Sequence, residues 1–460
     1  MEQITLFLGK VNDFAWGWPL LVLLLGTGLL LTVRLGLIQI VKLPKALKLI
    51  FTAKNHGDGD INSFGALCTA LAATVGTGNI VGVATAIAAG GPGALFWMWI
   101  AAFIGMATKY AEGVLAIKYR TVDANGQMSG GPMYYILNGM GKKFKPLAVF
   151  FAFSGVLVAL LGIGTFSQVN SITSSINSLT GLSPKIISII VAALVGLIVI
   201  GGIKNISKVS SKIVPIMAIL YLIACGVILA VNFEAIPSAF MTIISSAFTG
   251  HAAMGGFTGA VMKDAISKGV ARGVFSNESG LGSAPIAAAA AKTHWPAEQG
   301  LISMTGTFID SILICTLTGL TLVITGIWTT DTSAALMTQG AFSTVFGSFG
   351  GATLSICLVL FAFTTILGWN YGERCIEFLF GVKGIKPYRL VFVLMVALGG
   401  FLQVQLVWTI ADIVNALMAF PNLIALLALS GVVVKETKAY FNHLKQEEIT
   451  TTTALEKEVA

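Results

Sequence analysis

Charge is what this chain has least of: Asp, Glu, Lys and Arg make up 10% of its 460 residues, against roughly 25% in an ordinary soluble domain. So few charges could not cover a water-facing surface, which excludes a soluble globule. Histidine is scarce too. His56, His251, His294 and His443 are far apart in sequence, and none falls in an HExxH-like spacing. Gly139-Met140-Gly141-Lys142-Lys143 lacks the spacing and the Ser or Thr of a phosphate loop. Neither a metal-dependent enzyme nor an ATP-driven pump is expected. The five cysteines, Cys68, Cys225, Cys315, Cys357 and Cys375, sit in apolar stretches with no CxxC pair, which argues against a disulfide framework. No basic segment followed by a small-residue cleavage site opens the chain, so no removable signal peptide is expected.

What is abundant is apolar sequence. Hydrophobic residues make up 56% of the chain and fill most of positions 15–432, and each membrane crossing needs about 20 of them. The chain reads as an all-α membrane protein of eleven transmembrane helices, near 15–39, 62–90, 94–117, 147–178, 185–202, 212–231, 274–292, 298–326, 348–380, 388–407 and 409–433. The net charge of +8 comes from Lys and Arg in alternate short loops, such as Arg34 to Lys54, Lys118 to Lys145, Lys204 to Lys212 and Lys383 to Arg389. That placement reads as topology and not as a nucleic-acid surface. It puts the N-terminus outside and the C-terminus in the cytoplasm. The polar stretch 257–273 reads as an amphipathic surface helix.

The chain also repeats itself. Val75-Gly76-Thr77-Gly78-Asn79 and Ser276-Asn277-Glu278-Ser279-Gly280-Leu281-Gly282 each precede an Ala-rich half-span, a Pro and a long apolar helix. Gly78 lies 14 residues before Pro92, and Gly280 lies 16 before Pro296. The two copies run in opposite directions across the membrane, as in an inverted repeat of five spans plus five. The expected organisation is 1–61, an N-terminal helix and basic loop; 62–231, a first five-helix repeat; 232–273, an extracellular connection with the amphipathic helix; 274–433, a second five-helix repeat; and 434–460, a cytoplasmic tail.

Glycine and proline clusters weaken a helix. A backbone broken at membrane depth is tolerated only where it is buried in protein or lines a wet cavity. Amides at a half-helix N-terminus suit an anion and exposed carbonyls suit a cation. Two facing breaks therefore predict a midplane site for a zwitterion and a metal cation.

Longer motifs give this reading a family. Gly90-Gly91-Pro92-Gly93-Ala94-Leu95-Phe96-Trp97-Met98-Trp99-Ile100 resembles the fingerprint of the alanine or glycine:cation symporter family. So do Asn55 to Ile61, Gly130 to Tyr135 and Asn277 to Pro285, and the resemblance covers about residues 15–435. Ser279 departs from it, standing where a small apolar residue is expected. Val75 to Asn79 is also similar to the first broken helix of the sodium:neurotransmitter symporters. That likeness implies their five-plus-five inverted-repeat fold.

The resemblance implies site residues. The amides of Thr77 and Gly78 would take a substrate carboxylate, with Asn79 beside them and Ser279 and Gly280 completing the cradle. Carbonyls near Ser276 and Asn277 would meet the ammonium. Gln168 is a lone amide in an apolar stretch, costly if it faced lipid. It is expected to face inward as a substrate contact or a helix–helix hydrogen bond. Trp369, with Phe166 or Phe275, would close the pocket over a small side chain. For sodium, the Thr364 and Thr365 hydroxyls with the carbonyls of Ala72 and Val75 would give a neutral oxygen cage, and Thr74 with Asn79 a second site. Among acidic residues in spans, Glu112, Glu278, Asp310, Glu373 and Asp412 stand out, with Glu373 expected to pair with its neighbour Arg374.

The expected function is a secondary symporter of a prokaryotic cell membrane, in which inward sodium movement drives uptake of alanine or glycine by alternating access, with no other cofactor and no nucleic-acid partner. Proton coupling is the alternative. A channel would need a polar ring or carbonyl filter, and none is evident.

Overall fold

A computed structural model describes residues 2–53, 56–249, 258–330, 332–401 and 404–459. Lys54, Asn55 and His251 lie outside these residues. The described chain is nearly all helix; its single sheet is a two-stranded hairpin pairing Thr121–Val122 with Met128–Ser129. Among the described residues eight helical stretches are long and apolar enough to cross a membrane, and a ninth is formed by Ser63–Thr74 and Gly78–Gly90, bent by 52° at the break. Pro184–Val199 coincides with an expected span but is only 16 residues long.

Local chemistry sets the helix starts. The Asn62 side chain accepts from the Gly65 amide at 2.6 Å and opens Ser63–Thr74. Proline occupies the first turn of Trp18–Arg34, Pro184–Val199 and Pro296–Thr307, where its missing N–H costs nothing. The outward faces are apolar. Ile186, Ile189, Ile190, Leu194 and Leu197 are exposed on one helix and Ile216, Ile219 and Ile223 on the next. That helical spacing is a stripe for lipid contact.

Residues 258–273 do not form a separate surface helix, and residue 257 lies outside the described residues. Thr258–Asn277 is one helix running straight into the second break, packed along Gly93–Lys118 and against Val83–Gly90. Ala265, Val270, Val274 and Phe275 are buried. Arg272 on this helix pairs with Asp412 at 3.1 Å. The expected window 274–292 therefore holds only the end of this helix, the break and the short helix Ala284–Ala288. The tail continues as helix to Val459, the end of one element that begins at Val404. Its first turns are docked: Tyr440 is buried, Thr437 bonds the Tyr110 hydroxyl at 2.8 Å, and His443 stacks on Trp295.

Candidate functional site

The first break follows from its sequence. Ser63–Thr74 ends, and the chain resumes at Gly78–Gly82 as a π-helical turn, a distortion common at functional sites. Thr77 and Gly78 head that turn, so their amides have no preceding turn to accept them. The Asn79 side chain shapes the break: its Oδ1 accepts from the Gly76 amide at 2.8 Å.

The second break is held by the protein's own groups. Glu278 has φ +55, an uncommon and costly conformation for a residue with a side chain. Gly280 and Gly282, at φ +88 and +85, adopt it freely. One Glu278 oxygen accepts from Trp369 Nε1 at 3.1 Å, and the other accepts from the Ser283 hydroxyl. Glu112 Oε1 accepts from the amides of Gly280 and Gly282, both at 3.2 Å, and from Asn422 Nδ2 at 2.7 Å. The Asn277 carbonyl accepts from the buried Lys109 ammonium at 2.8 Å.

The Gly280 amide and Asn277 carbonyl, expected to face substrate, are thus served by a fixed carboxylate and a fixed ammonium. Ser279 is also engaged, its amide by Asn277 Oδ1 at 2.9 Å and its hydroxyl by Thr307 at 2.9 Å. The departure at Ser279 therefore ties the second break to the helix Pro296–Thr307.

Asp310 joins the two breaks from the π-helical segment Phe308–Cys315. It accepts from Asn79 Nδ2 at 2.8 Å, from Ser276 Oγ at 2.9 Å and from Ser311 Oγ at 2.8 Å. The breaks come together here: a Cβ on Gly78 would lie 3.1 Å from the Ser276 Cα and 3.4 Å from the Phe275 ring. Asn79 turns its amide hydrogens to Asp310 and its oxygen to Gly76, and Thr74 back-bonds weakly to Ala70 and Leu71. The contacts made by this pair do not assemble the expected second cation site.

Gln168 completes the first break. A third interruption, Gly162 to Thr165, lies inside the expected span 147–178, between Lys145–Leu161 and Phe166–Thr180. It sets the Gln168 amide beside Gly76, whose Cβ would lie 3.5 Å from Gln168 Oε1. Gln168 is 0% exposed, and neither its oxygen nor its nitrogen has a hydrogen-bond partner; the Thr77 and Ser167 hydroxyls are likewise unpaired. Buried unpaired polar groups cost about 1–3 kcal/mol each. The Gln168 amide, beside the Gly76 backbone, is such a group at the first break. Trp369, whose Cβ would lie 2.9 Å from a Cβ on Gly164, stands against this interruption. Phe166 and Phe275 are buried with it.

On the expected cation side, Thr365 Oγ1 lies 3.5 Å from the Val75 carbonyl and also bonds the Phe361 carbonyl at 2.9 Å. Thr364 turns away, to Met217 Sδ at 3.3 Å and its own helix carbonyls. Thr365 is thus brought to the break and Thr364 is not. Glu373 pairs with Arg389 at 2.8 Å and not with its neighbour Arg374, which pairs with Asp123 and Glu377. The roles of Lys109, Glu112 and Asn422 at the second break were missed. Lys109 and Glu112, charged residues inside an apolar helix, were the available signal. Among the described residues no cluster of His, Cys, Asp and Glu is placed to hold a metal ion.

A many-helix apolar bundle with two broken helices joined through Asp310, one of them held by buried polar groups, defines a multi-pass membrane transporter. The sodium:alanine symporter family matches residues 1–454, and the chain belongs to that family. It is a transporter and not an enzyme. An uncharacterized transporter of Haemophilus influenzae is 56% identical over 454 residues, covering 97% of this chain and 99% of that protein. The sodium/alanine symporter of Methanococcus maripaludis is 54% identical over 457 residues, covering 97% and 99%. MhsT, solved in complex with L-phenylalanine, superposes with a TM-score of 0.60 over 83% of this chain and 93% of its own, at 12% identity. That likeness concerns the fold.

Proposed function

We propose that this protein couples inward sodium movement to uptake of small neutral amino acids, alanine first and glycine second, by alternating access around a site at the first break. The five-plus-five inverted repeat, with an extra N-terminal helix, is the architecture proposed for it, and the face bearing the basic loops is assigned to the cytoplasm. The observation that carries the reading is the unpaired, fully buried Gln168 amide beside Gly76. The amides of Thr77 and Gly78 take the substrate carboxylate, and Gln168 and Thr77 Oγ1 supply the remaining polar contacts. Phe275, Phe166 and Trp369 bound a space suited to a small side chain. The second break acts chiefly as a wall, because Glu112 and Lys109 already hold its amides and the Asn277 carbonyl.

Sodium is assigned to the oxygens around Thr365 and the carbonyls of Val75 and Ala72. A cage of neutral oxygens suits a weakly held monovalent ion. The high identity to the sodium/alanine symporter of Methanococcus maripaludis supports both ion and substrate. An ion that fixes the Val75 carbonyl also fixes the adjoining amides, so ion and substrate must raise each other's affinity equally. The test is equilibrium binding of radiolabelled L-alanine to the purified protein in sodium and in potassium. Binding that rises with sodium is expected; binding indifferent to the cation overturns the coupling.

A further inference from the structure

We infer that the inner ends of the two broken helices form a gate: a backbone clasp between Asp58–Ile61 and Ala289–Thr293, locked by Arg120, that must part each time substrate is released to the cytoplasm. The inference rests on the alternating-access reading above.

The chain entering the first broken helix and the chain leaving the second run side by side. The Asp60 and Ile61 amides both donate to the Ala290 carbonyl, at 2.9 and 3.1 Å, and the Lys292 amide donates to the Ile61 carbonyl at 2.8 Å. Ile61 and Ala291 form a parallel bridge. Gly59 permits the approach, because a Cβ there would lie 2.6 Å from the Lys292 nitrogen and 2.7 Å from the Ala291 carbonyl. Next to the clasp, Ile61, Ala66, Ile117, Ile203, Ala290 and Ala291 pack into a small apolar plug.

Arg120 lies just past the helix Gly93–Lys118. Its Nη1 donates to the carbonyls of Ala289 at 2.9 Å and Ala291 at 2.6 Å, and its Nη2 to those of Asp58 at 2.7 Å and Thr293 at 3.1 Å. Carbonyls that follow a helix lack partners within it and favour a cation. A planar guanidinium can serve several such acceptors at once; a lysine ammonium is a single point charge. One side chain therefore ties both broken helices to a third.

The hairpin that follows Arg120 braces the lock. The Met128 amide donates to Asp60 Oδ2 at 2.8 Å. At the far side of the hairpin, Arg374 donates to Asp123 at 2.8 Å and to Gln127 at 2.7 Å. The clasp itself consists of a few polar bonds over a small plug. Such a join is far easier to open than the extensively packed helices around it.

The test uses Ala66→Cys as a reporter, since Ala66 is fully buried in the plug. Full-length protein in proteoliposomes is treated from each side with a membrane-impermeant maleimide. The unmodified protein gives the background of the five buried native cysteines. Arg120→Gln is expected to raise cytoplasmic-side labelling of the reporter about tenfold by shifting the closed state toward open, with Arg120→Lys intermediate. Gly59→Ala wedges the two clasp segments apart without replacing Arg120 and is expected to act in the same direction. It also carries the test if Arg120→Gln does not fold. Unchanged labelling in the folded variants overturns the gate. So does a rise matched by labelling of the native cysteines, which signals general unfolding. Labelling needs no transported ion, so failure of sodium-driven uptake would sink the symport reading and leave this result standing.

Discussion

Gln168 shows what a single residue contributes. Its amide is buried with no partner, which destabilises the protein unless a ligand supplies the bonds. Gln168→Ala is therefore expected to weaken L-alanine binding roughly tenfold to a hundredfold, the range for a lost hydrogen bond to a charged group, while leaving the thermal midpoint unchanged or raised. A helix–helix hydrogen bond would give the opposite signature, lower stability with little change in binding. Gln168 was legible because an amide in an apolar run is conspicuous. Glu112 was legible only as a costly residue. Its partner amides at Gly280 and Gly282 lie 168 and 170 positions away, and no local pattern announces that a fixed carboxylate fills the second break.

Among elements, the broken helices are the parts that chemistry in the sequence exposes best. Glycine strings and Asn277 to Pro285 announce the breaks, but not what each break holds. The start of the second broken helix was hidden because 257–273 is polar in sequence, and the partner of Arg272, Asp412, is supplied only in three dimensions. The π-helical turns at Gly78–Gly82 and Phe308–Cys315 likewise depend on tertiary contacts. Asp310 ties these elements together, so Asp310→Ala is expected to strand the Asn79 and Ser276 side chains and let the breaks drift apart. L-alanine affinity should fall by about tenfold or more. Asp310→Asn keeps one acceptor and should be milder. Equal binding by the Ala variant and the native protein would remove Asp310 as a tether.

Across the whole molecule, the sequence made the helical membrane class plain, because apolar windows and loop charges are properties of long segments and average out local error. Among the described residues, length and apolarity alone give eight spans, nine with the bent pair; Pro184–Val199 is too short to count, and the second broken helix is too polar and too interrupted. The orientation proposed from loop charge can be tested directly. A cysteine replacing Lys10 should react with an impermeant reagent from outside the cell, and one replacing Lys383 only from the cytoplasm; the reverse pattern would invert the topology. The central claim is sodium-driven alanine transport, and its most direct test is uptake of radiolabelled L-alanine into proteoliposomes under an inward sodium gradient, with potassium replacing sodium as the control. Accumulation above equilibrium with sodium and none with potassium is the result predicted. Uptake that ignores the sodium gradient, or no uptake with either cation, would contradict it.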